Sequence, residues 1–110
     1  MGLIAVITTT ATIEEARAIA EAVVRRGLAA CTQISSMESF YVWEGELQQE
    51  PEYRVILKTT EEMYQAVEKA IRELHSYELP AIYAVPLTKV FEPYGDWIKT
   101  NSQGSNQGEA

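Results

Sequence analysis

The sequence predicts a mixed α+β domain whose elements follow the order β-α-β-β-α-β, with a short third helix at the end. Three observations predict it: short apolar runs that fit strands, two amphipathic stretches that fit helices, and an alternating segment that folds back as a long hairpin. At 110 residues, 46% of them hydrophobic, the chain is long enough for one core and too short for two. We therefore predict a single domain over residues 1–100 and a disordered polar tail over residues 101–110.

The first strand and the first helix have clear local signals. Residues 3–7 form a continuous apolar run, which predicts a strand covered on both faces at the centre of a sheet. Thr12 and Glu15 then have the spacing of a capping box, ahead of apolar residues at helical intervals. Two arginines followed by Gly27 predict the end of this helix, because cations favour the last turn and glycine favours the residue after it.

A long β-hairpin is predicted in the middle of the chain. Residues 28–43 alternate as a strand does, but the alternation changes phase between Ser35 and Met37, which predicts a bulge or a bend. The Glu-Gly pair at 44–45 predicts the turn. After a polar stretch, residues 53–58 alternate again as the returning strand.

The last third of the chain predicts a helix, an edge strand and a short final helix. Thr59 and Glu62 have the spacing of a second capping box, and the apolar face that follows ends near His75. The apolar run 82–87 contains a proline, which cannot donate to a strand ladder and so favours a sheet edge. Residues 91–99 predict the final helix.

This order is that of the ferredoxin-like sandwich, in which both helices cover one face of a four-stranded sheet and the fourth strand lies at an edge. The strands nevertheless carry apolar side chains on both faces, since Ile56 neighbours Val55 and Tyr41 neighbours Val42. A domain this small that left the second face wet would expose an unusually large apolar patch. We therefore predict self-association, without a number of copies from the residues alone.

Composition and motifs exclude several function classes. Acidic residues outnumber basic ones 16 to 9, and the formal charge of −7 opposes nucleic-acid binding. The apolar N-terminal run is too short for a membrane span or a signal segment, and a single cysteine agrees with a reducing compartment, so we predict a cytoplasmic protein without a membrane partner. Because the common nucleotide, metal and nucleophile motifs of enzymes are missing from the sequence, we predict that the protein is not an enzyme.

One loop and one cysteine are candidate metal ligands. His75, Tyr77 and Glu78 cluster just past a predicted helix end, where the helix dipole favours a cation. An imidazole with a carboxylate suits Cu²⁺ or Zn²⁺, and the Irving-Williams order favours Cu²⁺. Cys31 is a third candidate because threefold symmetry would bring three thiolates together. The alternatives are a plain connecting loop and a cysteine buried as a small hydrophobe.

The aromatic residues predict either packing at an interface or a ligand cleft between subunits. In such a cleft, Lys58 would meet an anionic group, whereas elsewhere it is a solvated charge. The predicted cleft residues are Tyr41, Trp43, Lys58, Tyr77, Glu78 and Trp97.

Five motifs in order resemble those of the CutA divalent-cation-tolerance family. Its A-A-C-V-N, Y-x-W-x-G, K-T, H-P-Y-E-x-P and Y-x-x-W motifs are matched here by Ala29-Ala30-Cys31, Tyr41-Val42-Trp43-Glu44-Gly45, Lys58-Thr59, His75-Ser76-Tyr77-Glu78-Leu79-Pro80, and Tyr94 with Trp97. The resemblance covers residues 4–97 and implies a homotrimer of ferredoxin-like subunits, similar in architecture to PII signalling proteins. It also implies a link to tolerance of divalent cations such as Cu²⁺.

The sequence departs from the family pattern at two places. Thr32-Gln33 replace Val-Asn, and Ser76 replaces the proline between His75 and Tyr77. Neither change removes a candidate ligand, but serine frees the backbone that the proline would fix, which loosens the loop that presents these side chains.

Three functions are therefore expected. The first is a trimer that binds Cu²⁺ through His75, Glu78 and Cys31 and serves metal tolerance. The second is a PII-like signalling or binding module that holds a small metabolite between subunits. The third is a structural trimer that anchors partner proteins.

Overall fold

The structure, a computed structural model of the chain, describes residues 2–104. The strands in this part are β1 (Leu3–Thr10), β2 (Cys31–Trp43), β3 (Glu46–Thr60) and β4 (Ile82–Pro86). The helices are α1 (Ile13–Arg25), α2 (Tyr64–Leu74) and α3 (Glu92–Thr100), with a 3₁₀ turn (Glu61–Met63) ahead of α2. The predicted α+β fold and its order of elements are confirmed. Among these residues, no helix has both the length and the apolar character that a membrane crossing requires.

The strands form one antiparallel sheet in the order β2-β3-β1-β4. Strand β1 is central and β4 lies at an edge, as the apolar run and the proline predict. Helices α1 and α2 cover one face of the sheet, here called the helix face. The core between them is built from aliphatic side chains, among them Ile4, Val6, Ile19, Val23, Val55, Leu57, Val67 and Ile71.

Helix α1 begins and ends as its sequence predicts. The Thr12 hydroxyl oxygen accepts a hydrogen bond from the Glu15 N–H at 3.1 Å. At the other end Gly27 has a φ of 70°, and the Leu28 N–H reaches back to the Val23 carbonyl at 3.0 Å. These caps satisfy backbone groups that would otherwise lack partners.

The second predicted capping box is wrong. Thr59 belongs to β3, where it pairs with Ile4 and is fully buried. Its hydroxyl donates to the Leu28 carbonyl at 2.7 Å rather than to a helix start. The 3₁₀ turn that follows Thr60 has no side-chain cap. Strand pairing thus continues through the residues that resemble a cap.

Strands β2 and β3 pair residue by residue from Cys31 with Lys58 to Trp43 with Glu46, so the predicted bulge is wrong. The change of phase has another cause. Ile34 is half-buried on the helix face, whereas the half-buried residues beyond Ser36 lie on the opposite face. The covered side of the strand changes while the register stays constant.

The hairpin turn is located as predicted, and the returning strand is longer than predicted. Glu44 and Gly45 have φ values of 53° and 80°, both positive as a type I′ turn requires. The polar stretch after the turn already belongs to β3, because β2 supplies backbone partners from Glu46 onward.

Helix α3 covers part of the face opposite α1 and α2. Ile98 is fully buried, and a Cβ added at Gly95 would meet a Leu3 methyl group at 3.2 Å. Residues 101–104 of the predicted tail instead pack against the domain: Ser102 is 2% exposed, and the Gly104 N–H donates to the Gly27 carbonyl at 2.8 Å. Residues 105–110 lie outside the described residues.

Candidate functional site

A cavity of about 510 Å³ lies between the β2–β3 hairpin and the loop that follows α2. It is lined by Thr9, Tyr41, Trp43, Glu52, Ser76, Tyr77, Glu78, Leu79 and Ala81. Because one wall is the loop and the other is the hairpin, the shape of the cavity depends on how the loop is held against the sheet.

His75 fastens the start of this loop to β1. Its side chain is 0% exposed, and Nε2 lies 2.7 Å from the Thr9 carbonyl oxygen. Since a carbonyl oxygen can only accept, Nε2 carries the proton and donates it. Nδ1 then accepts the Tyr77 N–H at 3.2 Å. Both ring nitrogens of the neutral imidazole are therefore engaged in holding the loop.

Glu15 gives the loop a second attachment, on α1. Its Oε2 accepts the Ser76 N–H at 2.5 Å, and its Oε1 accepts the Ser76 hydroxyl at 3.1 Å. Oε2 also lies 3.6 Å from His75 Nδ1. The carboxylate predicted to close a capping box on α1 thus fixes a distant segment.

A buried carboxylate, Glu52 on β3, connects the loop with the hairpin. It is 7% exposed, its Oε1 accepts the Ser39 hydroxyl at 2.7 Å, and its Oε2 accepts the Tyr77 hydroxyl at 2.5 Å. Burial, together with the hydrogen bond to Glu52 and its charge, raises the pKa of Tyr77 well above the usual value of about 10. The Tyr77 hydroxyl therefore stays protonated and remains a donor to Glu52.

The hairpin contributes two aromatic walls, and the loop contributes a free carboxylate. Tyr41 donates to Glu50 Oε1 at 3.2 Å, and burial followed by the charge of Glu50 raises the pKa of Tyr41. Tyr41 and Trp43 both remain partly exposed. Glu78 is exposed and its carboxylate has no hydrogen-bond or ion-pair partner within residues 2–104. It is the charge in this cavity that is available to a ligand.

A second polar cluster lies where α3 crosses the sheet. Lys58 Nζ donates to Gln33 Oε1 at 2.9 Å and to the Tyr94 hydroxyl at 3.5 Å. The Tyr94 hydroxyl lies 3.7 Å from Cys31 Sγ, and the Tyr94 ring stacks on Trp97 with centroids 5.9 Å apart. This cluster shares no residue with the cavity lining.

The structure divides the predicted cleft into these two places. Tyr41, Trp43, Tyr77 and Glu78 line the cavity together, whereas Lys58 and Trp97 belong to the cluster formed between α3 and the sheet.

The predicted metal ligands are also divided. His75 and Glu78 share the loop after α2, whereas Cys31 lies beside Tyr94. Within residues 2–104, no three histidine, cysteine or acidic side chains are grouped so that they could hold a metal ion. Because neither nitrogen of His75 has a free lone pair, the donors of one chain do not fit an imidazole-based Cu²⁺ or Zn²⁺ site in this arrangement. The ligand set stays a prediction.

Several residues that shape the site lack any clear sequence signal. Glu52 stands in an acidic stretch whose other members are exposed, and nothing local marks it as the buried one. Thr9 acts through its backbone, and Glu15 resembles an ordinary capping residue. Only the alternation of β3, which puts Glu52 on the same face as Ile56, indicates its direction.

A family model and individual relatives indicate the same protein family for this chain. The family model described as CutA1 divalent ion tolerance protein matches residues 4–101. The chain is 36% identical over 90 residues to the divalent-cation tolerance protein CutA of Archaeoglobus fulgidus, covering 82% of this chain and 88% of that protein. It is likewise 36% identical over 90 residues to the Thermus thermophilus protein of the same name, covering 81% and 87%.

Solved structures agree with this result. The CutA1 structure from a psychrotrophic Shewanella species has a TM-score of 0.90 at 36% identity, covering 94% of this chain and 97% of that one. The Archaeoglobus fulgidus structure, described as a periplasmic divalent cation tolerance protein, has a TM-score of 0.89 at 32% identity and covers 92% and 99%.

Proposed function

Because the chain belongs to the CutA1 divalent ion tolerance family, we propose that it serves the tolerance of divalent cations as a binding protein and not as an enzyme. The observation that carries this proposal is the family match over residues 4–101. The net charge of −7 supports it, because an acidic surface raises the local concentration of cations.

Cu²⁺ is the ion we propose, with Glu78 as the ligand that each chain presents. Support comes from its exposed carboxylate, which has no partner among the described residues 2–104. One carboxylate is too few for a specific site, so the proposal requires further ligands from other copies. His75 then serves to hold the loop, and Cys31 would take part only from a neighbouring copy.

A homotrimer supplies such copies. Support comes from large apolar side chains that remain exposed on the hairpin, where Phe40, Val42 and Leu47 are 59%, 69% and 71% exposed. The edge strand β4 also leaves Tyr83 and Val85 exposed. Burial of such surface favours association by about 25 cal/mol per Å². The threefold number comes from the resemblance in sequence motifs.

Cu²⁺ titration by calorimetry tests the proposal, with light scattering to fix the mass of the assembly. We expect a mass of three chains and Cu²⁺ binding that Glu78→Gln weakens at least tenfold. Glu73→Gln, which removes the same charge from the exposed surface of α2, is the matched control and should bind as the wild type does. A monomer mass, or equal Cu²⁺ affinity in all three proteins, contradicts the proposal.

The cytoplasm is the proposed location, supported by the single cysteine, which needs no oxidising compartment. Because one structural relative is described as periplasmic, cell fractionation is the appropriate test. Recovery of the protein in the periplasmic fraction contradicts the proposal.

The cavity favours a second candidate function, a binding module for a small organic ligand. Its volume of about 510 Å³ and its mixture of aromatic and carboxylate side chains support this function. A thermal-shift screen of metabolites tests it, because a ligand at 100 times its Kd adds about 2.7 kcal/mol of stability. If no compound raises Tm, this candidate is rejected.

A further inference from the structure

The cavity between the hairpin and the loop has a chemistry that selects among organic ligands. We infer that it binds a small organic cation, an alkylated ammonium group, held by the aromatic side chains of the hairpin and the carboxylate of Glu78. The inference rests on the second candidate function and names the class of ligand that this function would serve.

Aromatic side chains form much of the lining. Tyr41 and Trp43 come from the same face of β2, two residues apart, and Tyr77 comes from the opposing loop. The ammonium group of a ligand is attracted to an aromatic ring within about 6 Å of its centroid, most strongly to tryptophan. Alkylated ammonium groups suit such walls because their methyl groups are apolar and their charge is diffuse.

The charge of the lining has one sign. Among the residues that the structure describes, the ionisable side chains that line the cavity are Glu52, Glu78 and the two tyrosines, without lysine, arginine or histidine. Arg54 is the register partner of Thr9 on β3 but is not a lining residue. The cavity therefore attracts cations and opposes phosphates and carboxylates.

The two carboxylates have different roles. Glu52 is buried, and each of its oxygens already accepts a hydroxyl, one from Ser39 and one from Tyr77. It thus contributes a fixed negative charge at the inner side of the cavity. Glu78 is exposed and unpartnered within residues 2–104, so its carboxylate can approach a ligand directly.

Without ligands from other copies, the cavity of one chain fits a molecule better than a bare ion. Its volume of about 510 Å³ lies in the range of about 300–1,000 Å³ found for small-molecule sites. A bare metal ion needs several converging donors, and residues 2–104 contain no such group.

A pair of probes of equal shape tests the inference: choline, which carries a quaternary ammonium, and 3,3-dimethyl-1-butanol, its uncharged analogue. Each is titrated into nitrogen-15-labelled protein at constant ionic strength, and the indole N–H signals of the two tryptophans are followed. We expect choline to shift the Trp43 signal and to leave that of Trp97, which belongs to α3 and does not line the cavity, unchanged. Choline should bind at least about fivefold more tightly than the neutral analogue.

Variants separate the contributions. Glu78→Gln should weaken choline binding about fivefold, whereas Glu73→Gln, on α2, should leave it unchanged. Trp43→Leu should weaken it by a similar factor, and Trp43→Phe, which keeps a ring, should weaken it less.

Three results would overturn the inference: equal affinity for the two probes, choline affinity unaffected by Glu78→Gln and Trp43→Leu, or a shift of Trp97 alone. If choline does not bind but an anionic or neutral metabolite raises Tm, the inference fails and the binding-module function stands. If no organic ligand of any charge binds, both fail.

Discussion

The Tyr77 hydroxyl donates to Glu52 Oε2 at 2.5 Å and joins the loop after α2 to the middle of the hairpin. Glu52 is 7% exposed, and a carboxylate so buried is costly unless its oxygens are hydrogen-bonded. Ser39 and Tyr77 supply one hydroxyl to each oxygen. The hydrogen bond from Tyr77 therefore both holds the loop and satisfies the buried carboxylate of Glu52.

Tyr77→Phe should lower the free energy of unfolding by about 2 kcal/mol, because it leaves one oxygen of a buried carboxylate without its donor. Urea unfolding at fixed protein concentration measures the loss. Tyr41→Phe is the control, since it removes a hydroxyl bond to the exposed Glu50 and should cost less. Equal losses of unfolding free energy in the two variants would show that the Tyr77 hydrogen bond stabilises the protein no more than the exposed Tyr41 bond does.

Stability should fall in strongly alkaline solution, in part because of Tyr77. Its pKa is raised in the folded protein, so the folded state keeps a proton that the unfolded state loses above a pH of about 10. The stability from this bond is complete below pH 10 and decreases as pH rises further, by up to about 1.4 kcal/mol per pH unit. Between pH 9 and about 11, the free energy of unfolding should therefore decrease more steeply with pH in the wild type than in Tyr77→Phe. Parallel pH dependence in the two proteins would contradict this assignment.

His75→Ala should destabilise the protein by about 2–3 kcal/mol, because it removes one hydrogen bond to Thr9 and one from Tyr77 inside a buried space. It should also speed proteolytic cleavage within the loop. Ser76→Ala, which loses only an exposed hydroxyl bond to Glu15, is the matched control and should change stability little. If His75→Ala keeps wild-type stability, His75 does not fasten the loop.

The hairpin turn offers a pair of opposite substitutions. Gly45 has a φ of 80°, so Gly45→Ala should cost about 1 kcal/mol of backbone strain. Glu44 has a φ of 53°, a conformation that asparagine tolerates better, so Glu44→Asn should add about 0.5 kcal/mol. Thermal unfolding of the two variants measures both signs. Changes of the same sign would show that the turn differs from type I′.

Local chemistry made much of the fold predictable. Thr12 and Gly27 bound α1 because a cap acts within one turn of its own helix. Pro86 marks β4 as an edge strand because a missing N–H is a property of the residue itself. Thr59 shows where such local prediction fails. It has the spacing of a capping residue, but it lies inside β3, where pairing with β1 determines its structure.

The candidate site was predictable only in part. Tyr41, Trp43, Tyr77 and Glu78 line one cavity, whereas Lys58 and Trp97 belong to the separate cluster at α3. Nothing in a one-dimensional pattern says which aromatic residues share a space.

By itself the sequence determined the fold class, the hairpin and the edge strand, because periodicity, caps and turns act between neighbouring residues. The resemblance of its motifs indicated the family. Only the tertiary structure decided that both ring nitrogens of His75 form hydrogen bonds, one with Thr9 and one with Tyr77, and that Glu52 is the buried carboxylate. It also decided that the change of phase at Ser35 reflects a change of the covered face and not a bulge. Each of these depends on which distant backbone or side chain completes a hydrogen bond or covers a surface, and that is fixed only when the elements pack.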